Sequence, residues 1–213
     1  HINKYEGRVK SFVKGTFDDN RILEDWKKNQ SKTIINFPLK DLLFGVKDII
    51  NVDGYPTRCG SLLPSELFNG SQASCVSTLL NAGAIFAGKT VTAEFAVSDP
   101  GETRNPRNLF HTPGGSSSGS GASVAAGFCD IAIGTQTSGS VIRPAGYCGV
   151  VGYKPSFGRI SRDGVLLFSN SMDHVGLCTS DLDVLEKVLP LIVDGWRFQK
   201  PKVNKNTSIG IPK

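Results

Sequence analysis

Short apolar runs alternate with amphipathic segments along most of the chain. The segment KDLLFGVKDII predicts a strand that carries Lys47 to its end. β-Branched, aromatic and small apolar residues predict three further strands, in the segments AIFAGKTVTAEF, CDIAIGTQT and VVGYKP. Because helical segments lie between these runs, the pattern favours an α/β fold with a largely parallel mixed sheet flanked by helices.

Apolar residues at helical spacing predict the helices. The segment SQASCVSTLLNAG predicts a helix that stops at Gly83, and the small residues of GASVAAGF predict a closely packed one. In TSDLDVLEKVLPLIV, Ser180 and Asp183 form a capping pattern, and we expect Pro190 to bend or end the helix. The polar opening of the chain predicts a helical N-terminal extension over residues 1–30.

The composition is that of an ordinary globular domain. Hydrophobic residues make up 39% of the 213, which is enough for an extensive core, and we expect a single α/β domain over residues 1–213. The final SIGIPK resembles the start of another strand rather than the end of a domain. We therefore expect the chain to be the N-terminal portion of a longer domain.

Charge and apolar runs exclude several classes of partner. The net charge of +5 is spread along the chain, whereas a nucleic-acid site needs a concentrated basic stripe, so no nucleic acid is expected. No apolar run approaches the roughly 18 residues of a membrane span. The N-terminal segment also lacks the apolar core of a signal peptide. These features predict a protein of the cytoplasm.

The cysteines are odd in number and lie in a chain too long to need disulfides, which favours reduced thiols. They are Cys59, Cys75, Cys129, Cys148 and Cys178. Most stand beside small or apolar residues, so buried structural thiols are favoured. A catalytic pair between one of these thiols and His111 or His174 is left open.

The segment GAIFAGKT matches a phosphate-binding loop, with two glycines separated by four residues and followed by Lys-Thr. Such a loop needs a strand before it and a helix after it, because the helix N-terminus holds the phosphate. Here the predicted order is helix, turn and strand. We therefore interpret the segment as a structural passage and not as an ATP site.

The segment PGGSSSGSGASVAAGF admits three interpretations. A flexible linker is disfavoured, because the tract leads directly into a predicted helix and a buried strand. GSSSG fits a nucleophile elbow centred on Ser117, but that motif needs a preceding strand and a later acid and histidine. The preceding segment is loop-like and His174 is the only histidine that follows, so a triad is left open only if His174 lies near Ser117. The third interpretation joins this tract to two other segments.

Lys47 in GVKDII, Ser116 in PGGSSSGSG and Ser140 in GTQTSGSVIRPAGYCGVVGYKPSFGRIS together resemble the amidase signature family of Ser–Ser–Lys hydrolases. GAIFAGKTVTAEFA and TRNPRN resemble it too, and the likeness covers residues 42–188. The family's members are longer than this chain. The resemblance implies the amidase signature fold, with only its N-terminal half present.

The resemblance also implies roles for these residues. Ser140 is then the nucleophile, Ser116 the proton shuttle and Lys47 the general base, with a cis peptide bond between Gly115 and Ser116. Burial among apolar neighbours lowers the pKa of Lys47, an effect that Asp48 opposes if it is close. The family's oxyanion hole falls on the backbone N–H groups of Thr137, Ser138, Gly139 and Ser140.

Some positions depart from the family pattern. Ser118 and Ser138 stand where glycine is common, and Gln136 stands where aspartate is common. Arg143 is a candidate for binding a substrate carboxylate, and a structural ion pair explains it equally well. Ser117 is interpreted as a second hydrogen-bonding serine of the substrate site or as a turn residue.

The function predicted first is that of a free-standing amidase. It acts on a small or medium carboxylic amide through an acyl-enzyme, with neither a cofactor nor a metal, and a homodimer is left open. The segment GKTVTAEF departs from the Asn-Met-Asp-Glu-Phe run associated with subunits that amidate mischarged tRNA. The A subunit of a glutamine-dependent tRNA amidotransferase is the alternative, and a non-catalytic amidase-like interaction module is a third hypothesis.

Overall fold

The fold is built on a five-stranded mixed sheet, seen in a computed structural model that describes residues 2–31, 37–99 and 101–197. The strands are β1 (Leu43–Lys47), β2 (Ile85–Thr90), β3 (Ile131–Gln136), β4 (Val151–Tyr153) and β5 (His174–Thr179), in the spatial order β2-β1-β3-β5-β4. β1 runs parallel to both β2 and β3, whereas β5 runs antiparallel to β3 and β4. The predicted fold class, an α/β fold with a mixed sheet flanked by helices, is confirmed, and two of the four strand pairings are parallel.

Six α-helices accompany the sheet within the described residues. They are α1 (Ile2–Val9), α2 (Asp19–Ser31), α3 (Ser74–Asn81), α4 (Ser118–Ala125), α5 (Ile142–Cys148) and α6 (Leu182–Ile192). Two short 3₁₀ segments, Ser65–Phe68 and Glu94–Ala96, lie in the connections. None of the described helices is both long and apolar enough to cross a bilayer.

Two elements were not predicted. Helix α5 contains one proline and one glycine, residue types that argue against a helix interior, and it is only seven residues long. Strand β5 follows a polar loop and its apolar residues are interrupted by Gly176. Both elements matter for the site, because α5 begins two residues after Ser140 and β5 pairs with β3.

The ends of two helices show how local chemistry sets the boundaries. Gly83 follows α3 with a φ of +92°, a conformation that favours glycine, and β2 begins two residues later. The order is therefore helix, turn and strand, as expected for a segment that does not bind phosphate. The capping prediction for α6 was wrong by one residue: Asp181, not Ser180, accepts a hydrogen bond from Val184 N at 2.8 Å. Pro190 lies inside the last turn of α6.

Both faces of the sheet are covered by apolar clusters, and successive side chains of β3 point alternately into one cluster and the other. Ile131 and Ile133 face one cluster, which also contains apolar residues of α3 and α6. Ala132 faces a second cluster, to which α4 contributes Ala122 and Val124. Glycine lets α4 approach closely, because a Cβ at Gly119 would collide with the backbone of residues 11 and 91. The strand predicted at SIGIPK lies outside the described residues.

Candidate active site

Lys47 ends β1 in the interior of the protein, with no exposed surface. Its Nζ lies 2.8 Å from Ser116 Oγ and 2.9 Å from Thr135 Oγ1. Thr135 is on β3, the parallel neighbour of β1, and Ser116 lies in the serine tract just before α4. The fold therefore brings Lys47, at the end of a central strand, into contact with Ser116, which lies far away in the sequence.

Burial lowers the pKa of Lys47 to about 7, from an ordinary value of 10.5. The cause is desolvation, because an ammonium group loses its hydration in the interior. Asp173 and Cys178 raise the pKa, but their effect is smaller. Near neutral pH a substantial fraction of Lys47 is thus a neutral amine, the form that can accept a proton.

Asp48, the next residue, is held by a different lysine. Lys89 Nζ lies 2.8 Å from Asp48 Oδ1, and both side chains are buried. Lys89 also donates a hydrogen bond to Thr57 Oγ1 at 3.0 Å. This ion pair gives the Asp48 carboxylate a partner of its own, so the lysine of GAIFAGKT, on β2, serves a structural contact.

The serine tract and the segment that contains Ser140 are joined through the backbone. The peptide bond between Gly115 and Ser116 is cis, as the resemblance implied. Ser116 is fully buried and its carbonyl accepts a hydrogen bond from Ala93 N. Ser117 N donates to the carbonyl of Ser140 at 3.1 Å. These contacts fix Ser116 and Ser140 on neighbouring stretches of chain.

Ser140 differs from Ser116 in its surroundings. It is 8% exposed, and its hydroxyl makes no hydrogen bond to any described residue. Ser116, by contrast, has no exposed surface, and its hydroxyl accepts a hydrogen bond from Lys47 Nζ. Of the three predicted catalytic residues, Ser140 alone therefore combines some exposure with an unengaged hydroxyl.

Residues 137–140, hereafter the 137–140 loop, connect β3 to α5. The N–H groups of Ser138, Gly139 and Ser140 donate no hydrogen bond to described residues, although Thr137 Oγ1 donates to Asp173 Oδ1 at 2.5 Å. Free N–H groups on a short loop beside a serine can bind a developing negative charge.

The N–H groups of the two residues after the 137–140 loop do have hydrogen-bond acceptors. Those of Val141 and Ile142 both donate to Gln136 Oε1, at 2.9 and 3.0 Å. The donors left free are therefore confined to the 137–140 loop.

Arg143 and Ser117 both contact the backbone. Arg143 Nε and Nη2 donate to the carbonyl of Gly115 at 2.9 and 2.6 Å, so the guanidinium holds the serine tract and pairs with no carboxylate of the described residues. Ser117 is fully buried, and its hydroxyl donates to the carbonyl of Thr135 at 3.1 Å. Both side chains therefore hold backbone carbonyl groups next to the candidate site.

The histidine and cysteine hypotheses gain no support from the geometry. His174 Nδ1 lies 2.7 Å from the carbonyl of Met172, and its ring packs against Phe157, so it makes no hydrogen bond to Ser117. All five cysteines are free and buried. Burial raises the pKa of each thiol, to about 11 for Cys59 and to about 12 for Cys148. Thiols with raised pKa values are poor nucleophiles near neutral pH.

Comparison with known proteins gives the family. The family model described as Amidase matches residues 1–209. The chain belongs to the amidase family. Two similar members are named as A subunits of glutamyl-tRNA(Gln) amidotransferases: that of Salinibacter ruber is 44% identical over 161 residues, and that of Lachnospira eligens is 35% identical over 235 residues. These alignments cover 73% and 100% of this chain.

A solved amidase structure shares the fold. The peptide amidase from Stenotrophomonas maltophilia aligns with a TM-score of 0.79 and 32% identity over 91% of this chain. The chain spans 42% of that amidase, and 31% and 48% of the two amidotransferase subunits. It thus corresponds to less than half the length of these family members.

Two further residues contact the candidate site and were not predicted from the sequence. Thr135 provides the second hydrogen bond to Lys47, and Asp173 joins the 137–140 loop to the segment before β5. Asp173 also accepts hydrogen bonds from the N–H groups of Phe168 and Ser169. Its partners lie far along the chain or in an unpredicted connection. Only the buried-strand pattern ending at Gln136 could have directed attention to Thr135.

Proposed function

We propose that the protein cleaves carboxylic amides, with Ser140 as the nucleophile, Ser116 as the proton relay and Lys47 as the general base. The observation that carries the proposal is the 2.8 Å contact between Lys47 Nζ and Ser116 Oγ in the protein interior. A serine needs a neighbouring base to become nucleophilic, and a neutral amine can act as one. Membership of the amidase family supports the same chemistry.

The reaction begins with proton transfer. Neutral Lys47 accepts the proton of Ser116, which in turn accepts the proton of Ser140 as the Ser140 oxygen attacks the amide carbon. The pKa of Lys47 near 7 supports this step, because an ordinary lysine would be fully protonated at neutral pH. Attack forms the new C–O bond and leaves a negative charge on the former carbonyl oxygen.

The 137–140 loop is the proposed oxyanion hole. Its free N–H groups can donate to that oxygen, and donors arranged before reaction need no reorganisation during it. Collapse of the intermediate breaks the C–N bond, and the proton held by Lys47 returns through Ser116 to the leaving nitrogen. An acyl-enzyme on Ser140 remains. Water then cleaves it by the same route, which releases the acid and restores the serine.

The test is covalent labelling of the full-length protein with a fluorophosphonate serine probe, mapped by peptide mass spectrometry. We expect an adduct on Ser140 that forms at least about 100-fold more slowly in Lys47→Met, because general-base catalysis contributes factors of this order. Lys187→Met is the matched control, since Lys187 is an exposed residue of α6. Its labelling rate is expected to equal that of the wild type.

The other labelling outcomes discriminate the remaining hypotheses. An adduct on Ser117 would favour the nucleophile elbow. No adduct on folded, full-length protein would overturn the catalytic proposal in favour of a non-catalytic interaction module. An adduct on Ser140 that forms equally fast in Lys47→Met would retain the nucleophile but refute Lys47 as the base.

A second candidate function is favoured by the names of the relatives. The relatives from Salinibacter ruber and Lachnospira eligens are both named as A subunits of glutamyl-tRNA(Gln) amidotransferases, and a protein of that kind would use glutamine as its amide. The departure of GKTVTAEF from the run associated with those subunits favours the free-standing amidase instead. Ammonia release from glutamine and from simple carboxylic amides, measured with and without co-purifying proteins, separates the two. Glutamine-selective release that requires a partner would establish the amidotransferase role.

A further inference from the structure

Gln136, the last residue of β3, has a buried side chain that spans the base of the 137–140 loop. Its Oε1 accepts hydrogen bonds from Val141 N and Ile142 N, and its Nε2 donates to the carbonyl of Ser138 at 2.9 Å. One amide thus ties the start of α5 to the middle of the loop. An aspartate at this position could only accept.

The hydrogen bond from Gln136 to the Ser138 carbonyl fixes the orientation of the whole peptide group between Ser138 and Gly139. The carbonyl of Ser138 and the N–H of Gly139 belong to the same planar peptide unit, which is trans. In a trans unit the two groups point in opposite directions. A carbonyl turned inward to Gln136, which is buried, therefore turns the Gly139 N–H toward the outer side of the loop, where Gly139 is partly exposed.

We propose that Gln136 is a positioning residue, whose amide donor orients the Ser138–Gly139 peptide so that the Gly139 N–H is directed at the oxyanion. The inference rests on the proposed function and extends it to the residue that aligns the oxyanion hole. Loss of this bond frees the peptide to rotate, and a rotated peptide would present the Ser138 carbonyl to the oxyanion in place of an N–H. The effect falls on the transition state rather than on ground-state binding.

Gln136→Glu is the informative variant, because its carboxyl group changes with pH. As a carboxylate it retains the acceptor for Val141 and Ile142 but has no donor for Ser138. When protonated it regains a donor in nearly the same place. We expect the variant to label with the fluorophosphonate probe roughly 10- to 100-fold more slowly than the wild type at pH 8, since removing one oxyanion donor outright costs about 100- to 1000-fold and misaligning it costs less.

The decisive readout is the ratio of variant to wild-type labelling rates as a function of pH. We expect this ratio to rise toward one as the pH falls from 8 to 5.5, with the maximal rate affected and the half-saturating probe concentration unchanged. The surrounding ionisable groups are Lys47 on β1, Asp173 and His174 at the start of β5, and Arg143 on α5. They are present in both proteins, so their titration largely cancels in the ratio.

Two further variants complete the experiment. Gln136→Met has no polar group to titrate, so we expect slow labelling and a ratio that does not change with pH; it also serves if Gln136→Glu fails to fold. Gln72→Glu makes the same change outside the site, at a glutamine whose amide donates a hydrogen bond to Ser77 Oγ. This variant is expected to behave as the wild type.

The outcomes separate this inference from the proposed function. A wild type that labels on Ser140 together with a pH-independent Gln136→Glu ratio, or with normal labelling of Gln136→Met, overturns the role of Gln136 alone. A wild type that does not label on Ser140 overturns both.

Discussion

At the scale of single residues, the proposed site is built around a lysine with no exposed surface. Lys47 has two hydroxyl partners and no carboxylate in contact, whereas Lys89 has a carboxylate at 2.8 Å. The two buried lysines thus have different roles: one is available as a neutral base, and the other is held in an ion pair. The neighbouring aspartate, Asp48, is bound to the second and not to the first.

The pKa of Lys47 predicts how reactivity depends on pH. A base with a pKa near 7 is mostly protonated at pH 6 and mostly neutral at pH 8. We expect the rate of Ser140 labelling to increase about tenfold for each pH unit below 7 and to level off above about 8. A profile that rises only toward pH 10 would contradict a lowered pKa.

The same pKa predicts how stability depends on pH. Between pH 7 and 10.5 the unfolded chain binds the lysine proton and the folded protein does not, so stability increases with pH in this window. The slope attributable to Lys47 is at most about 1.4 kcal/mol per pH unit. Urea denaturation of wild type and Lys47→Met at pH 7, 8 and 9 would reveal it. Equal slopes in the two proteins would show that the lysine is not desolvated.

At the scale of elements, a buried ion pair joins Asp48, the residue directly after β1, to Lys89 on the neighbouring strand β2. We expect Lys89→Met to lower the free energy of unfolding by about 3–5 kcal/mol, because it leaves a buried carboxylate without a partner. Adding Asp48→Asn removes that charge, so the double variant is expected to recover part of the loss. Urea denaturation of the three variants tests this, and additive single effects would contradict the pairing.

Close packing of α4 gives a second prediction at this scale. We expect Gly119→Ala to destabilise the protein by about 2 kcal/mol or more, because the new methyl group meets backbone at residues 11 and 91. Gly146→Ala is the matched control: Gly146 lies in α5, and a Cβ added there would point into open space. There alanine is expected to stabilise by up to about 1 kcal/mol, through helix propensity. Thermal unfolding of both variants tests this, with a lower Tm expected for Gly119→Ala and an unchanged or higher Tm for Gly146→Ala.

Elements with a continuous pattern could be predicted from the sequence, and those without one could not. Strands β2 and β3 are buried throughout, β1 is buried except at Leu43, and all three contain apolar runs, while α6 has a regular apolar face. Helix α5 instead follows a loop of small residues and includes Pro144, so no local pattern predicts it, and Gln136 Oε1 accepts hydrogen bonds from the N–H groups of Val141 and Ile142 at its start. Lys47, Ser116 and Ser140 were predicted from motifs, whereas Thr135 and Asp173 contact the candidate site through partners that lie far away in the sequence.

At the scale of the whole molecule, stability is expected to decline from the sheet centre to the N-terminal helices. β1 lies between β2 and β3, while α2 has no buried residue. Native-state hydrogen exchange is expected to show the slowest amides in β1 and β3 and fast exchange in α2, because helices with little buried surface open locally. Protection of α2 equal to that of β1 would contradict this order.

The contacts between the serine tract and the chain around Ser140 have a practical consequence. Ser117 N donates a hydrogen bond to the Ser140 carbonyl, and Arg143 donates to the Gly115 carbonyl. The acceptor of both hydrogen bonds is therefore a main-chain oxygen. Neither link involves the hydroxyl of Ser116 or Ser140. Removing the Ser140 hydroxyl therefore leaves the frame of the site in place. Ser140→Ala is thus suited to capture an uncleaved amide from a metabolite mixture, which would reveal the natural substrate by mass spectrometry of the bound molecule.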